Sequence, residues 1–178
     1  MTTVLYSVTM SLDGFIAGPG GSMGWLSEHF GPNPVADDLV SRIGSVLVGA
    51  RSYHGEDPNR GTEKEGPFGG AWKGPHFVLT HRPPADPPSH VTFMSDLPAA
   101  VAAARAAAGE GYVNIIGANV AAQCLEAGLL DEILVFIAPV LLGDGTRVFF
   151  RPGGTHVRLE LLHAATEPVP SLWLKVRK

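Results

Sequence analysis

The stretch from residue 113 to residue 145 constrains the fold more than any other part of the chain. It begins with Val-Asn-Ile-Ile, a run typical of a buried strand, and a Gly-Ala turn follows at residues 117–118. In the short helix that comes next, Asn119 can cap the start, and Gly128 lies where a glycine commonly ends a helix. A second apolar run covers residues 133–138. This order predicts a βαβ unit in a parallel sheet that is covered on both faces.

The turn at residues 117–118 also has a chemical consequence. It brings backbone N–H groups to the start of a helix, where anions such as the pyrophosphate of a dinucleotide can bind. Turns of this kind also serve packing alone, and both interpretations stay open at this point.

Composition limits the class of protein. The chain has 178 residues, which suits one domain over residues 1–178 with a real core. The net charge of −4 without a basic cluster argues against a nucleic acid partner. Only 17% of residues are charged, which favours self-association, and we expect a homodimer. No apolar run approaches the roughly 20 residues of a membrane helix. With no recognisable signal peptide and one cysteine, Cys124, interpreted as a packing thiol, we expect a cytoplasmic protein.

The other elements follow from apolar periodicity and turn residues. Strands are predicted at residues 4–9, 45–49 and 77–80, an edge strand at 91–93, a loop leading into a strand at 140–150, and helices at 34–43 and 97–108. Alternating apolar residues at 157–162 and 172–176 predict an antiparallel hairpin with one face covered. The segment at 54–75 is rich in glycine and proline, and we interpret it as a partly ordered lid that Phe68 and Trp72 can anchor, with a passive insertion as the alternative.

Three predicted strands end in polar or glycine-bearing turns. These turns carry Arg51 and Ser52, then Thr80, His81 and Arg82, and finally Gly117, Ala118 and Asn119. In an open α/β sheet, ligands bind beyond the carboxyl ends of the strands. Hydroxyl groups and guanidinium forks suit phosphate oxygens. One ligand with both a pyrophosphate and a 2′-phosphate would use all three turns, and that ligand is NADPH.

Four segments now carry a family resemblance. They are residues 11–17 (SLDGFIA), 47–53 (LVGARSY), 77–83 (FVLTHRP) and 113–145, which hold the motifs AGLLDE and PVLLG. With these segments in this order, the chain resembles the dihydrofolate reductase-like superfamily. It resembles most of all the stand-alone relatives of the reductase domain of bacterial riboflavin biosynthesis. The resemblance implies an α/β fold with three αβα layers around a mixed, mostly parallel sheet, a C-terminal antiparallel hairpin, and NADPH across the strand ends.

The resemblance also implies a set of cofactor contacts. The nicotinamide end would contact Thr9, Ile16 and Ala17, and the phosphates would lie at Gly49, Arg51 and Ser52. The adenosine ribose and 2′-phosphate would contact Thr80, His81 and Arg82, and the pyrophosphate would lie on Gly117, Ala118, Asn119 and Val120. The chain departs from the family at Ala50, where an arginine is usual, and at Ile116, where the first glycine of a Gly-Gly pair is usual.

Reduction of a C=N or C=O bond adds a proton to the heteroatom, so a carboxylic acid is expected near the substrate. We take Asp13, in the SLDG segment, and Asp38, in the first predicted helix, as the catalytic candidates. Asp37 is the alternative to Asp38, because either lies near the position at which folate-reducing members place a carboxylate. Asp13 can also be a turn former and the helix carboxylates can be exposed first-turn charges. No histidine pair has metal-ligand spacing, so no metal is expected.

Three functions remain open. The first is an NADPH-dependent reductase of a small heterocyclic or carbonyl substrate, resembling 5-amino-6-(5-phosphoribosylamino)uracil reductase of riboflavin biosynthesis. The second is a dihydrofolate or dihydropterin reductase. The third is a non-catalytic nucleotide-binding protein that keeps the fold and has weakened its cofactor site, as Ala50 and Ile116 suggest.

Overall fold

An eight-stranded sheet organises the computed structural model, which describes residues 2–29, 31–57 and 59–178. Its strands are β1 (Val4–Ser11), β3 (Ile43–Gly49), β4 (His76–Leu79), β5 (Val91–Met94), β6 (Tyr112–Ile116), β7 (Glu132–Ala138), β9 (Leu159–Ala165) and β10 (Ser171–Val176). The spatial order is β5-β4-β3-β6-β1-β7-β10-β9. A separate two-stranded sheet pairs β2 (Phe15–Ala17) with β8 (Thr146–Arg147).

The six strands from β5 to β7 are parallel, and β10 and β9 are antiparallel. The predicted βαβ unit is present, with β1 inserted between β6 and β7 and parallel to both. The apolar runs of these strands are explained by burial on both faces. The predicted mixed, mostly parallel sheet with a C-terminal antiparallel pair is confirmed.

Helices cover both faces of the sheet. They are α1 (Pro34–Arg42), α2 (Ala50–His54), α3 (Leu97–Ala108) and α4 (Ala118–Glu126). Residues from α3 and α4, including the buried Cys124, pack with Val4 and Ile115 on one face. On the opposite face, Leu39 of α1 packs with Leu5. These two cores make the three predicted layers.

Local side-chain chemistry sets the starts of two helices. Asn33 Oδ1 accepts hydrogen bonds from the N–H groups of Val35 (3.0 Å) and Ala36 (3.3 Å). Asp96 Oδ2 accepts from the N–H of Ala99 at 2.9 Å. The predicted capping role of Asp96 is therefore confirmed.

The start of α4 differs from its prediction. Gly117 is the N-cap residue, with φ 116°, and Asn119 lies inside the helix. The side chain of Asn119 accepts a hydrogen bond from Gln123 Nε2 at 2.7 Å instead of capping the helix. The predicted C-terminal signal is confirmed, because Gly128 takes φ 68° directly after the last turn.

The aspartate of the AGLLDE motif makes hydrogen bonds at the amino ends of the parallel strands. Asp131 Oδ2 accepts from the N–H of Val4 and from Arg105 Nη2, both at 2.9 Å. Its Oδ1 accepts from Lys178 Nζ at 2.7 Å. One carboxylate thus joins β1, α3 and the C-terminal residue, at the end of the strands opposite the predicted ligand site.

The prediction that the final hairpin has one covered face is wrong for β9. This strand is an edge of the sheet, and its leucines are exposed: Leu159 by 45%, Leu161 by 57% and Leu162 by 47%. Trp173 of β10, by contrast, is buried in the α1-side core. The apolar alternation of β9 therefore marks an exposed surface, not a buried one.

The segment after α2 is anchored as predicted. Phe68 and Trp72 pack against the α1-side core, and Trp72 Nε1 donates to the carbonyl of Ile43 at 3.1 Å. Pro58 lies outside the described residues.

Among the helices that the structure describes, none has the length and apolar character needed to span a bilayer.

Candidate functional site

A cleft of about 1820 Å³ opens at the carboxyl ends of β1, β3, β4 and β6. Its walls come from α1, from the loop at residues 19–23 and from residues between 55 and 71. Adjacent parallel strands end at one edge of a sheet, which is why turns distant in sequence meet here. Met23 N donates to Glu56 Oε2 at 2.9 Å and joins two of these walls.

All but one of the predicted cofactor residues line this cleft. They are Thr9, Ile16, Ala17, Gly49, Arg51, Ser52, Thr80, His81, Gly117, Ala118, Asn119 and Val120. Arg82 is the exception, because the lining of the cleft ends at His81 in this turn. The backbone N–H of Arg82 donates to Thr80 Oγ1 at 3.1 Å. The structure thus brings the three turns together, and their contact with a cofactor stays a prediction.

The turns after β3 and β6 fit against each other closely. Gly117, with φ 116°, faces Ser52 so directly that a Cβ at position 117 would lie 2.6 Å from Ser52 Oγ. Glycine is required here both by the backbone conformation and by this approach. Ile116, which replaces a family glycine, keeps an extended conformation within β6. The unusual backbone conformation falls on Gly117, so Ile116 carries no strain.

The start of α4 lies at the edge of the cleft. Within the described chain no side chain caps it, because Gly117 holds the N-cap position, whereas Asn33 and Asp96 cap α1 and α3. Its first turn lines the cleft through Ala118 and Asn119. Backbone N–H groups without intrahelical partners and the helix dipole favour a phosphate at such a place.

Asp13 lies outside the cleft lining, in a structural role. Its carboxylate accepts from Ser11 Oγ (2.6 Å) and from the N–H groups of Gly143 (2.7 Å) and Leu142 (3.1 Å). The hydrogen bond from Ser11, with those from Gly143 and Leu142, lowers the pKa of Asp13 to about 2. A carboxylate with such a pKa stays ionised at neutral pH and is a poor proton donor. These hydrogen bonds join the SLDG turn to the PVLLG loop, and a role of Asp13 in proton supply stays a prediction.

Asp38 also lies outside the cleft lining, and its neighbour Asp37 lies within it. Asp38 Oδ2 pairs with Arg42 Nη1 at 3.1 Å, and at least half of each side chain is exposed. Consecutive residues of an α-helix differ by about 100° around the axis, so only one of the two carboxylates can face the cleft. The structure places Asp37 there and Asp38 outside the lining, and a catalytic role for either carboxylate stays a prediction.

Two polar residues at the floor of the cleft were not predicted. Ser7 Oγ donates to Asn114 Oδ1 at 2.7 Å, and Asn114 is completely buried. The signal was present, because Ser7 and Asn114 each stand between apolar residues of a central strand. Among the described residues, no three His, Cys, Asp or Glu side chains group as metal ligands would.

Comparison with known proteins places this geometry in a family. Residues 2–168 match the model of the RibD C-terminal domain. The uncharacterized protein YwjB of Bacillus subtilis (strain 168) is 28% identical over 149 residues, which are 83% of this chain and 82% of YwjB.

Solved structures agree at the level of the fold. A protein from Shewanella sp. PV-4 with a provisional assignment to riboflavin biosynthesis superposes with a TM-score of 0.74, at 20% identity, over 99% of this chain and 100% of its own. Acinetobacter baumannii RibD superposes with a TM-score of 0.67, at 20% identity, over 99% of this chain and 58% of RibD. The chain therefore belongs to the RibD C-terminal domain family and has its dihydrofolate reductase-like fold.

Proposed function

We propose that this chain is an NADPH-dependent reductase of a C=N or C=O bond in a small heterocyclic substrate, resembling 5-amino-6-(5-phosphoribosylamino)uracil reductase. The observation that carries the proposal is the convergence of the turns after β3, β4 and β6 on one cleft. Family membership supports a reductase, and the geometry of the cleft supports a dinucleotide as its cofactor.

The order of the strands suits an extended dinucleotide. Thr80 and His81 follow β4, Arg51 and Ser52 follow β3, the α4 turn follows β6, and Thr9 lies near the end of β1. In the sheet these strands are adjacent, in the order β4-β3-β6-β1. Three inter-strand steps of about 4.8 Å span roughly 14 Å. The adenosine end would lie at β4, the pyrophosphate between β3 and β6, and the nicotinamide beside β1.

The residues at the centre of this path fit a pyrophosphate. The Ser52 hydroxyl is held against Gly117, beside the start of α4. Arg51 lines the same cleft and is exposed, so its guanidinium can reach a phosphate oxygen. Arg51 would supply the cationic contact that Ala50 lacks.

The bound cofactor supplies a hydride, and the protein supplies orientation and a proton. Hydride adds two electrons and one hydrogen to the carbon of the C=N or C=O bond, and the heteroatom then takes a proton. Asp37 lines the cleft and can relay that proton from solvent. The proposed machinery thus comprises phosphate contacts at β3 and β6 and a carboxylate on the opposite wall.

Fluorescence titration of the full chain with NADPH tests the proposal. We expect saturable binding below millimolar concentration, and Arg51→Gln to weaken it about tenfold, as for the loss of one charged hydrogen bond. Arg151→Gln is the matched control, because Arg151 is also exposed and pairs with Glu126 outside the cleft. If NADPH does not bind saturably, the chain is instead a protein that retains the fold with a weakened cofactor site.

A further inference from the structure

Three histidines lie around the two ends of the wall segment, residues 59–75, which lines one side of the cleft. His54 ends α2, shortly before the wall segment, and His76 begins β4, directly after it. His90 precedes β5, in which Val91 pairs with His76. The parallel pairing of β4 with β5 thus brings together imidazoles that are distant in sequence. The proposed hydride transfer uses none of them.

The ring of Tyr53 joins the two ends of the wall segment. It packs edge-to-face with His54, with ring centroids 5.0 Å apart, and with His76 at 5.9 Å. It also packs edge-to-face with Phe93 of β5 at 5.5 Å, and both aromatic rings lie against the α1-side core. Such contacts between uncharged rings are favourable. The cluster therefore holds the start and the end of the wall segment together while His76 is neutral.

The surroundings of His76 disfavour a positive charge. Its Nε2 atom is buried and makes no hydrogen bond within the described chain. Of the titratable groups around it, Tyr53 and His54 belong to α2 and His90 to the turn before β5, whereas β3, which pairs with β4, has no titratable residue. Burial, and then the charge of His90, lowers the pKa of His76. A protonated His76 would thus be desolvated beside another imidazole.

The carboxylates near the wall segment have other partners. Glu65 Oε2 accepts from the N–H of Gly61 at 2.9 Å, and Asp57 Oδ2 accepts from the N–H of Gly66 at 2.8 Å. Lys73, the charged residue of the segment nearest to His76 in sequence, is an exposed cation. The wall segment therefore offers His76 no counterion among these groups.

The closed position of the wall segment carries strain. Phe68 has φ 56°, a left-handed conformation that is unfavourable for a residue with a bulky side chain. The ring of Phe68 packs against the α1-side core, as does Trp72, whose Nε1 donates to the carbonyl of Ile43. Packing against the core thus opposes the strain, and a loss of packing at the ends of the segment favours its release.

We propose that protonation of His76 in mild acid releases the wall segment from the core and opens this side of the cleft. The imidazolium repels His90 and leaves its contact with Tyr53 for water, and Pro75 moves with it. Since closing lowers the pKa of His76, the closed form is favoured above the ordinary histidine pKa of about 6.5. This stabilisation is lost as the pH falls from there to the lowered pKa of the closed form. The switch does not depend on the proposed reductase function.

Hydrogen exchange of the full chain, read by mass spectrometry between about pH 7.5 and 5, tests the proposal. Protection factors correct for the intrinsic pH dependence of exchange. We expect the protection of residues 59–75 to fall below about pH 6.5, by at most about tenfold per pH unit because one proton is taken up. The protection of β6 should stay constant. His76→Phe, which keeps an aromatic ring, and His76→Gln should both abolish the pH dependence.

Two further variants complete the test. His90→Gln should reduce the total loss of protection, because the closed form then tolerates the charge of His76 better. His163→Gln is the matched control, since His163 is exposed in β9 at the opposite edge of the sheet, and it should behave like the wild type. Constant protection of the wild-type segment, or a pH dependence that persists in both His76 variants, would overturn the proposal. A simultaneous loss of protection in β6 would also overturn it, because the whole chain would then be unfolding.

Discussion

Replacing Gly117 by alanine tests the fit between the β3 and β6 turns, on which the cofactor proposal depends. At φ 116° an alanine is strained, which costs about 1–3 kcal/mol of folding stability. Its Cβ would also lie 2.6 Å from Ser52 Oγ, so the hydroxyl must move. In the proposed complex, a displaced hydroxyl and a shifted turn would remove at least one hydrogen bond to a charged phosphate. We therefore expect NADPH affinity to fall about 10- to 100-fold.

The assay separates strain from loss of the site. Urea unfolding gives the change in free energy, and fluorescence titration gives the NADPH dissociation constant on the same protein. Gly128→Ala is the control: φ is 68°, an added Cβ meets open space, and the residue follows the far end of α4. It should lower stability by about 1–2 kcal/mol and leave NADPH affinity unchanged.

A second variant isolates the contact with Ser52. Adding Ser52→Gly to Gly117→Ala removes the clash but also removes the hydroxyl, so affinity should stay low while stability partly recovers. If Gly117→Ala lost stability yet bound NADPH as tightly as the wild type, the turn would not contact the nucleotide. The pyrophosphate assignment would then have to be abandoned.

Three further predictions concern other parts of the molecule. Burial raises the pKa of Asp131, but its hydrogen bonds and the neighbouring cations outweigh burial, so the pKa is lowered in the folded protein. The Asp131 carboxylate therefore stabilises the fold above its unfolded-state pKa of about 3.9, and this stabilisation is lost as the pH falls through the folded-state pKa. Acid unfolding of Asp131→Asn should therefore depend less steeply on pH below about 4, and an unchanged slope would refute this. Asp37→Asn should lower the kcat of substrate-dependent NADPH oxidation about 100-fold, and Asp38→Asn should leave it unchanged; equal effects would remove Asp37 from the proton path. We also propose that the exposed leucines of β9 form the interface of a homodimer. Light scattering should then show a dimer for the wild type and a monomer for Leu161→Lys, and a monomeric wild type at micromolar concentration would disprove the proposal.

Local signals in the sequence were sufficient for most elements of the fold, but α2 and β2 were not predicted. Apolar runs identified the central strands, because strands buried on both faces have no polar side. Asp96 and Gly128 marked helix ends, because capping depends on residues within one turn. The turns after β3, β4 and β6 could be assigned to one edge of the sheet, because parallel strands carry their carboxyl ends together.

The same local signals did not identify which side chains face the cleft. Asp37 and Asp38 are equivalent in sequence, and only the rotation of α1 against the sheet distinguishes them. A structural role of Asp13 in its turn was one of two interpretations, but its partners Leu142 and Gly143 could not be foreseen, because they lie far along the chain. Each of these outcomes depends on the packing of one element against another.

The sequence by itself determined most of the strands and helices and the sheet edge at which a ligand is expected, because these follow from burial and backbone chemistry over a few residues. Only the tertiary structure decided the site's inner surface. Asn114 lies opposite Leu5 in the β1–β6 register, which brings Ser7 into hydrogen-bonding reach across 107 residues of chain. The approach of Ser52 to Gly117 likewise depends on the pairing of β3 with β6. Strand register and helix rotation arise from the packing of the whole sheet, and no local pattern encodes them.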